Sequence, residues 1–440
     1  MIDLTKDNPY KVLIKYSYPM LIGNLFQLFH NVIDSIMVSR LLGKECLAAV
    51  GICSQITTTL ITLSIGITFG TSILISKRIG EKNEEEINKV IDTGFVFSTI
   101  IAVFVSVFCT IFTINILIVF KVPEDIFVFT NTYITIIFIG FTPTFLYNTM
   151  ANILRGLGDS KTPTFFLLIS CFINIILNLL FIKYLKLGIG GAAWATVIAQ
   201  TFAFMGVFIY SSIKYPNYRI HLFHPLFKIY ALKSILKYSI PSTMQEIFRS
   251  IGLMSLQIII NGFGTGCIAA YTVVSRVDSF AQLPTINLGR ALANYTAQNL
   301  GAKKEDRIKK GFKAAFVIGL TVIMTISIFI LLSPDFFIKI FSRDNEVILI
   351  GRTYLRIVGM VYSVSLLMHL LNGVLLGYEK TFIPMLATII SLCIIQVPSA
   401  LLLSSTRLGY IGIWIATPLG WIGGVLIRYY YYRKIVIMKK

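Results

Sequence analysis

Long apolar runs separated by short polar segments dominate the chain. Runs of roughly 20 or more apolar residues follow one another along most of the sequence, and about 20 residues is the length an α-helix needs to cross a bilayer. The runs do not alternate in polarity, which favours helices over a β-barrel. They predict an all-α integral membrane protein with twelve spans, at roughly 12–39, 46–76, 91–119, 126–154, 162–185, 188–212, 235–262, 267–299, 312–332, 346–376, 382–404 and 409–431.

Composition agrees with this pattern and narrows the partners. Of the 440 residues, 56% are hydrophobic and only 13% are charged, whereas a soluble domain needs about a quarter of its residues charged. The net charge of +19 would suit nucleic acid, but the basic residues lie in short loops rather than on one solvated face. We therefore expect a lipid bilayer and no nucleic acid. Lys and Arg concentrate in the loops of one side, which predicts a multi-pass cell-membrane protein with both termini cytoplasmic.

The sequence repeats itself at half its length. At an offset of 221 residues, a run of landmarks in the first half meets the same residue types in the second half. The matches include Gly43, Cys46, Ala48 and Ala49 with Gly264, Cys267, Ala269 and Ala270, and Gly188, Gly191, Ala195 and Thr196 with Gly409, Gly412, Ala416 and Thr417. We predict an N-terminal six-helix lobe over 1–212, a cytoplasmic linker over 213–234 and a C-terminal six-helix lobe over 235–440.

Six spans in each half have consequences for symmetry and function. Both halves enter the membrane from the same side, so a pseudo-twofold axis along the membrane normal should relate them, and substrate would bind between them. Transport is the commonest use of such a duplication, although a duplicated structural protein would show the same repeat.

Asp34 is the most conspicuous ionisable residue within a predicted span. It lies deep in the first span, with no Lys or Arg one turn before it and Arg40 six residues after it. A carboxylate in lipid costs at least about 2.5–3.5 kcal/mol, so it needs a partner or a function. Asp34 is therefore a candidate for binding and releasing a proton or Na⁺; the alternative is a buried structural Asp.

Polar residues of later spans could complete such a site. Asn174 and Asn178 are four residues apart on one face of the fifth span, and Thr196 lies in the sixth. Their oxygens suit a small hard cation or a proton-bearing carboxyl group. Ordinary hydrogen bonding between helices is the alternative explanation.

The second half offers a looser set of polar residues in the seventh and eighth spans. Glu246 has Arg249 on the same helical face, so an ion pair explains it as well as ligand binding does. His30 and His369 are interpreted as satisfied core histidines, since neither has a second ligand at metal-binding spacing. The candidates for a substrate cavity are Gln245, Glu246, Arg276, Asp278 and Gln282.

Taken together, several segments resemble the multidrug and toxic compound extrusion (MATE) family over essentially the whole chain, and more closely its DNA-damage-inducible F branch. The segments that carry the resemblance are 18–34, 155–159 with 162–163, 190–193 and 269–301. The resemblance implies antiport of amphipathic, usually cationic, organic compounds against Na⁺ or H⁺, with the coupling site in the N-terminal lobe.

Carried over residue by residue, the resemblance gives each site residue a role. The acid of the first span corresponds to Asp34, the amide of the fifth to Asn174 and the hydroxyl of the sixth to Thr196, while Pro19 corresponds to the residue at which the first helix bends. Asn178 stands where relatives often have a second acid. Na⁺ at Asp34, Asn174, Asn178 and Thr196 and a proton carried by Asp34 both remain open, with the proton preferred.

Two rival functions are compatible with a helical membrane protein of this size. A flippase for a lipid-linked saccharide would share the helix count and would need a wide cationic cavity. An intramembrane enzyme would need a nucleophile and base or a metal cluster at membrane depth, and the sequence shows no HExxH, GxSxG or Walker motif. We therefore expect a non-enzymatic transporter that has no cofactor beyond its coupling ion, handles small amphipathic molecules and acts as a monomer.

Overall fold

The computed structural model describes residues 1–221 and 225–438, and its regular structure is helical throughout. The helices of the first half are α1 (Pro9–Leu42), α2 (Lys44–Glu81), α3 (Glu84–Ile111), α4 (Thr113–Val119), α5 (Glu124–Ile139), α6 (Phe141–Gly156), α7 (Lys161–Asn178) and α8 (Gly188–Lys214). Those of the second half are α9 (Ile229–Asn261), α10 (Thr265–Gly301), α11 (Glu305–Leu332), α12 (Pro334–Lys339), α13 (Asn345–Gly359), α14 (Tyr362–Gly377), α15 (Phe382–Ile389), α16 (Val397–Ser404) and α17 (Tyr410–Tyr432). The all-α prediction is confirmed.

Each predicted span corresponds to one helix or to consecutive helices. Among the described residues, eight helical segments are long and apolar enough to cross a membrane, and two bent pairs, α5 with α6 and α13 with α14, raise the number to ten. The other two predicted spans are α9 and α10. Both are long enough to cross a bilayer, but charged side chains lower their hydropathy. The twelve-span architecture in two six-helix lobes is thereby accounted for.

The chain divides into two compact units. Unit 1 contains Met1–Ile2 and Tyr18–Ile240, and unit 2 contains Asp3–Ser17 and the chain from Pro241 onward. Both α1 and α9 therefore change unit within their length, α1 between Ser17 and Tyr18 and α9 between Ile240 and Pro241. Each change lies within two residues of a proline inside the helix, Pro19 in α1 and Pro241 in α9. A proline interrupts the helical hydrogen-bond ladder, so these are the positions where each helix bends most easily.

Helical structure extends into both ends of the predicted linker. Helix α8 continues to Lys214, a short 3₁₀ turn covers Pro216–Tyr218, and α9 begins at Ile229. Residues 222–224 of that linker lie outside the described residues. The predicted lobe boundaries of 1–212 and 235–440 remain a prediction.

The backbone repeats as the sequence does. Gly43 and Gly264, which precede α2 and α10, have φ of 93° and 86°. Lys82 and Lys303, which follow the same two helices, both have φ of 57°. Left-handed conformations are rare for residues with a side chain, so their recurrence at equivalent positions shows that the two halves share one backbone design.

The outer surface of the helices is apolar, as contact with lipid requires. Large hydrophobic side chains are exposed along it, among them Phe104, Ile176 and Leu332. Polar side chains are instead buried inside each unit, where Asn152, for example, donates a hydrogen bond to Thr68 Oγ1 at 2.6 Å. This is the reverse of the pattern in a soluble bundle, and it is the pattern of a membrane protein.

Candidate functional site

The four residues predicted for a coupling site lie together in unit 1. Asp34 lies on α1, Asn174 and Asn178 lie one turn apart near the end of α7, and Thr196 lies on α8. Directly after Asn178 the helix continues as a π-helical segment, Leu179–Tyr184. Wider turns of this kind occur often at functional sites because they change the direction of neighbouring side chains.

A chain of hydrogen bonds joins these residues. The Nδ2 of Asn178 donates to Asp34 Oδ1 at 2.6 Å and to Asn174 Oδ1 at 2.7 Å. The Nδ2 of Asn174 donates to Thr196 Oγ1 at 3.2 Å, and this hydroxyl donates to the backbone carbonyl of Ala192 at 3.2 Å. Both amides are almost completely buried, with exposures of 2% and 1%. The network therefore fixes the amide beside the carboxylate.

The charge of His30, one turn earlier on α1, acts on the carboxylate, but no Lys or Arg neutralises it within the described residues. In the part of the chain that the structure describes, none of the ion pairs includes Asp34. The Oδ1 of Asn178 is buried and has no hydrogen-bond partner, because Nδ2 is the atom turned towards Asp34. A carboxylate beside an unsatisfied amide oxygen offers a binding place for a cation. The arrangement can bind a proton or a small metal ion and can carry out no covalent chemistry by itself.

Two further residues belong to this site although the sequence did not single them out for it. The Nε2 of His30 lies 2.9 Å from Asn174 Oδ1, and because that oxygen is an acceptor, Nε2 must carry the hydrogen. This bond gives His30 a hydrogen-bond partner, in agreement with its interpretation as a satisfied histidine. It also holds the imidazole at the site, one turn before Asp34 on α1. Tyr133 on α5 is buried beside the Thr196 side chain. The spacing of four residues between His30 and Asp34 could have indicated that His30 belongs to this site. No pattern in the sequence points to Tyr133.

The candidates of the second half lie in unit 2 and do not form one cluster. Glu246 pairs with Arg249 at 2.7 Å, which is the intrahelical ion pair considered from the sequence. Gln245 donates to Asn372 Oδ1 at 3.2 Å. Arg276 lies over the ring of Phe341, with its guanidinium carbon 5.8 Å from the ring centroid. Their role in a substrate cavity remains a prediction.

Asp278 and Gln282 are the exception, because the structure brings them into contact. Gln282 Nε2 donates to Asp278 Oδ2 at 2.7 Å. The Ser365 hydroxyl on α14 donates to Gln282 Oε1 at 2.8 Å.

Comparison with known proteins gives consistent matches over the whole chain. The MatE family model matches twice, over residues 19–180 and 241–402, which confirms the duplication. The chain is 30% identical to the probable multidrug resistance protein YoeA of Bacillus subtilis, over 98% of this chain and 94% of that one. It superposes with a TM-score of 0.93 on a crystal structure of MATE in the bent conformation, which is 23% identical and matches over 99% of this chain and 97% of that one. A structure of MATE in the straight conformation gives a TM-score of 0.91 at 24% identity, over 99% and 98% of the two chains.

The duplicated bundle, with an ionisable group held among amides at membrane depth, defines a multi-pass membrane transporter rather than an enzyme. Within that class the chain belongs to the MatE family, whose members include multidrug resistance proteins. The narrower placement in the DNA-damage-inducible F branch stays a prediction.

Proposed function

We propose that the protein is a secondary active multidrug efflux transporter that exchanges amphipathic organic cations for H⁺ or Na⁺ by alternating access of its two lobes. The observation that carries the proposal is the Asp34 carboxylate, which hydrogen-bonds to a buried amide and forms no ion pair with Lys or Arg among the described residues. Such a group is costly in lipid, and binding of a cation removes the cost. The proposal places the protein in the cell membrane as a monomer, with both termini in the cytoplasm.

The coupling step follows from what a cation does to this network. A cation bound at Asp34 neutralises the carboxylate and weakens the charge-assisted bond from Asn178, so α1 loses one of its ties to α7. Pro19, fifteen residues earlier, gives α1 a position at which it can bend in response. The conformation that releases substrate outward then has the higher affinity for the cation, and this difference in affinity is what couples the two movements.

The donors around the site favour the proton as the coupling ion. Asn174 Oδ1 already accepts hydrogen bonds from Asn178 and His30. Of the two amide oxygens at this site, Oδ1 of Asn178 is the one without a hydrogen-bond partner among the described residues. A hard metal ion takes about six oxygens, so Na⁺ would have to displace several of these bonds, whereas a proton needs only the carboxylate. No cofactor beyond the coupling ion is proposed.

Transport by the reconstituted protein tests the proposal. Proteoliposomes are loaded with a fluorescent organic cation. A gradient of H⁺ or of Na⁺, with the higher concentration outside, is then imposed separately, and efflux is compared between the wild type and Asp34→Asn. We expect ion-driven efflux to fall roughly tenfold or more in the variant. The matched control is Asp125→Asn, because Asp125 is exposed at the start of α5 and should leave efflux unchanged. Normal coupled efflux in Asp34→Asn would remove this residue from the mechanism.

A further inference from the structure

Residues 3–8, here called the pre-α1 segment, belong to unit 2, although most of α1 belongs to unit 1. The segment forms a turn and a bend before α1 begins at Pro9. Leu4, within it, is completely buried, with an exposure of 0%. Buried backbone groups that are not part of a helix need other hydrogen-bond partners. Side chains of unit 2 provide them.

Two amides at the end of α10 bind Leu4 from both sides. The backbone N–H of Leu4 donates to Gln298 Oε1 at 2.6 Å, and the Leu4 carbonyl accepts from Asn299 Nδ2 at 3.0 Å. Gln298 and Asn299 are 1% and 0% exposed. Asn299 Nδ2 also donates to the Tyr295 carbonyl at 2.8 Å, one turn earlier in the same helix. The orientation of this amide is therefore fixed by α10 itself.

An arginine in the first turn of α11 extends this arrangement. Arg307 Nε donates to Asn299 Oδ1 at 3.1 Å, and Nη2 donates to the carbonyls of Lys6 and Asp7 at 2.7 and 3.0 Å. Because a guanidinium group is planar and its donors have fixed directions, it positions the backbone as well as attracting it. Gln298, Asn299 and Arg307 are called the clamp below.

The two parts of α1 are held to different extents. Before the internal proline, Tyr16 is 0% exposed, and its hydroxyl accepts a hydrogen bond of 2.9 Å from Asn294 of α10. After the proline, over residues 24–42, which include Asp34, Val38 is the single buried residue. The first part of α1 is therefore fixed in unit 2 by packing and by the clamp, and packing restrains the second part much less.

The clamp is not a feature that both halves of the chain share. At the offset of 221 residues, its three members correspond to Lys77, Arg78 and Glu86. Arg78 instead pairs with Glu81 at 2.6 Å. The helix that the clamp of the second half anchors is the one that carries Asp34. This difference between the halves suits a role that only α1 has.

We propose that the clamp is the fixed point against which α1 bends at Pro19, so that its three members are positioning residues for ion-coupled transport. The inference rests on the proposed antiport through Asp34. When a cation weakens the bond from Asp34 to α7, a helix that is held at its start responds by bending. A helix that is released at both places shifts as one rod. The clamp thereby makes an event at Asp34, in unit 1, act on unit 2.

Hydrogen exchange measures the clamp itself. In the full-length protein in detergent, exchange of the peptide that contains the Leu4 amide is followed by mass spectrometry. We expect this amide to exchange roughly tenfold faster in Arg307→Ala and in Asn299→Ala, because each variant removes hydrogen bonds that hold the segment. The matched control is Arg343→Ala, in the exposed loop before α13. Exchange at the wild-type rate in both clamp variants would overturn the proposal.

Transport by the same variants measures the consequence of releasing the segment. In proteoliposomes, Arg307→Ala should lower ion-driven efflux roughly fivefold or more. The affinity for substrate and the Tm, both measured in detergent, should stay at the wild-type values, which a merely structural role would not allow. Arg307→Lys keeps the charge and one donor, so it should restore part of the efflux. Unchanged efflux in Arg307→Ala with a released segment would contradict the proposed role.

A double variant tests whether the clamp acts through the bend. If Pro19→Ala stiffens α1, the clamp has no bend to support, so adding Arg307→Ala should lower efflux no further. Two effects that multiply would show that they are independent and would overturn the proposal. Absence of ion-driven efflux in the wild type would overturn the antiport, and this inference with it, so the wild-type measurement distinguishes the two failures.

Discussion

Asn178 shows how one side chain can decide which ion a carboxylate accepts. Its amide donates to Asp34 and so stabilises the ionised carboxylate without adding a negative charge. In Asn178→Asp a second carboxylate would replace that donor, doubling the formal negative charge beside Asn174 and Thr196. We expect the variant to show Na⁺-driven efflux in proteoliposomes at equal pH on both sides, because charge and oxygen ligands set the affinity for a hard cation. Ion dependence identical to the wild type would contradict this reasoning.

His30 should adjust the same site through Asn174. Its Nε2–H holds Asn174 Oδ1 at 2.9 Å, and a hydrogen bond of this kind contributes about 1 kcal/mol. Replacing His30 by Phe removes one of the two hydrogen bonds to this oxygen and leaves the bond from Asn178, and we expect the external pH for half-maximal efflux to move by roughly half a unit to one unit. The conservative His30→Gln keeps an N–H donor and should restore part of the wild-type behaviour. The measurement is efflux rate against external pH, and an identical profile in His30→Phe would exclude the role.

The sequence revealed Asp34, Asn174, Asn178 and Thr196 as members of this site but missed His30 and Tyr133. Asp34 stood out because it is a lone acid in an apolar run, and Asn174 with Asn178 because their spacing places them on one face. Tyr133 meets Thr196 only through the packing of α5 on α8, which no spacing along the chain encodes. For the same reason, the sequence could name Asp278 and Gln282 but could not show that Ser365 on α14 donates a hydrogen bond to Gln282.

At the level of elements, α1 combines the candidate site with a proline. Pro19 removes one backbone N–H from the helix, and Thr164 Oγ1 donates to the Pro19 carbonyl at 3.1 Å. We expect Pro19→Ala to restore the missing backbone bond, stiffen α1 and lower coupled efflux by several-fold without loss of folded protein, since an interior proline weakens a helix by about 3 kcal/mol. Efflux and size-exclusion profiles measure the two effects.

The equivalent proline of the second repeat supplies the control. Pro241 lies inside α9 and at the point where that helix changes unit, as Pro19 does in α1. Helix α9 has no carboxylate in the position of Asp34, where the register that aligns Pro19 with Pro241 places Leu256. Pro241→Ala should therefore affect efflux less than Pro19→Ala; an equal effect would mean that the bend in α1 has no special link with the coupling cation.

Breaks within spans were the part of the fold that hydropathy could not locate. The continuous apolar runs over 126–154 and 346–376 predicted single spans, yet each is two helices that meet at 48° and 52°. The first break lies at Gly140, where an added Cβ would overlap the Val197 side chain. Close packing of α8 therefore requires glycine there, and that requirement is a property of the packed unit rather than of the apolar pattern.

For the whole molecule, stability should depend on a carboxylate outside the predicted spans. Asp159, in the turn between α6 and α7, is 5% exposed. Burial by itself would raise its pKa, but hydrogen bonds from Thr162 and Tyr215 and the charge of Lys214 hold the pKa below its ordinary value. The Tyr215 hydroxyl donates to Oδ2 at 2.6 Å and Lys214 Nζ lies 3.3 Å from it. These bonds fasten the start of α7 to the end of α8.

A lowered pKa in the folded state fixes the direction of the pH dependence. The ionised carboxylate stabilises the folded protein fully above the unfolded-state value of 3.8, and this contribution disappears as pH falls through the folded-state pKa. Asp159→Asn should therefore lower the free energy of unfolding at pH 7 by about 2 kcal/mol, and the gap to the wild type should narrow below pH 4. Thermal unfolding in detergent at pH 7 and at pH 3.5 measures both. The exposed Asp125→Asn should match the wild type at each pH, and a gap for Asp159→Asn that is the same at both pH values would show that Asp159 contributes through its shape and not through its charge.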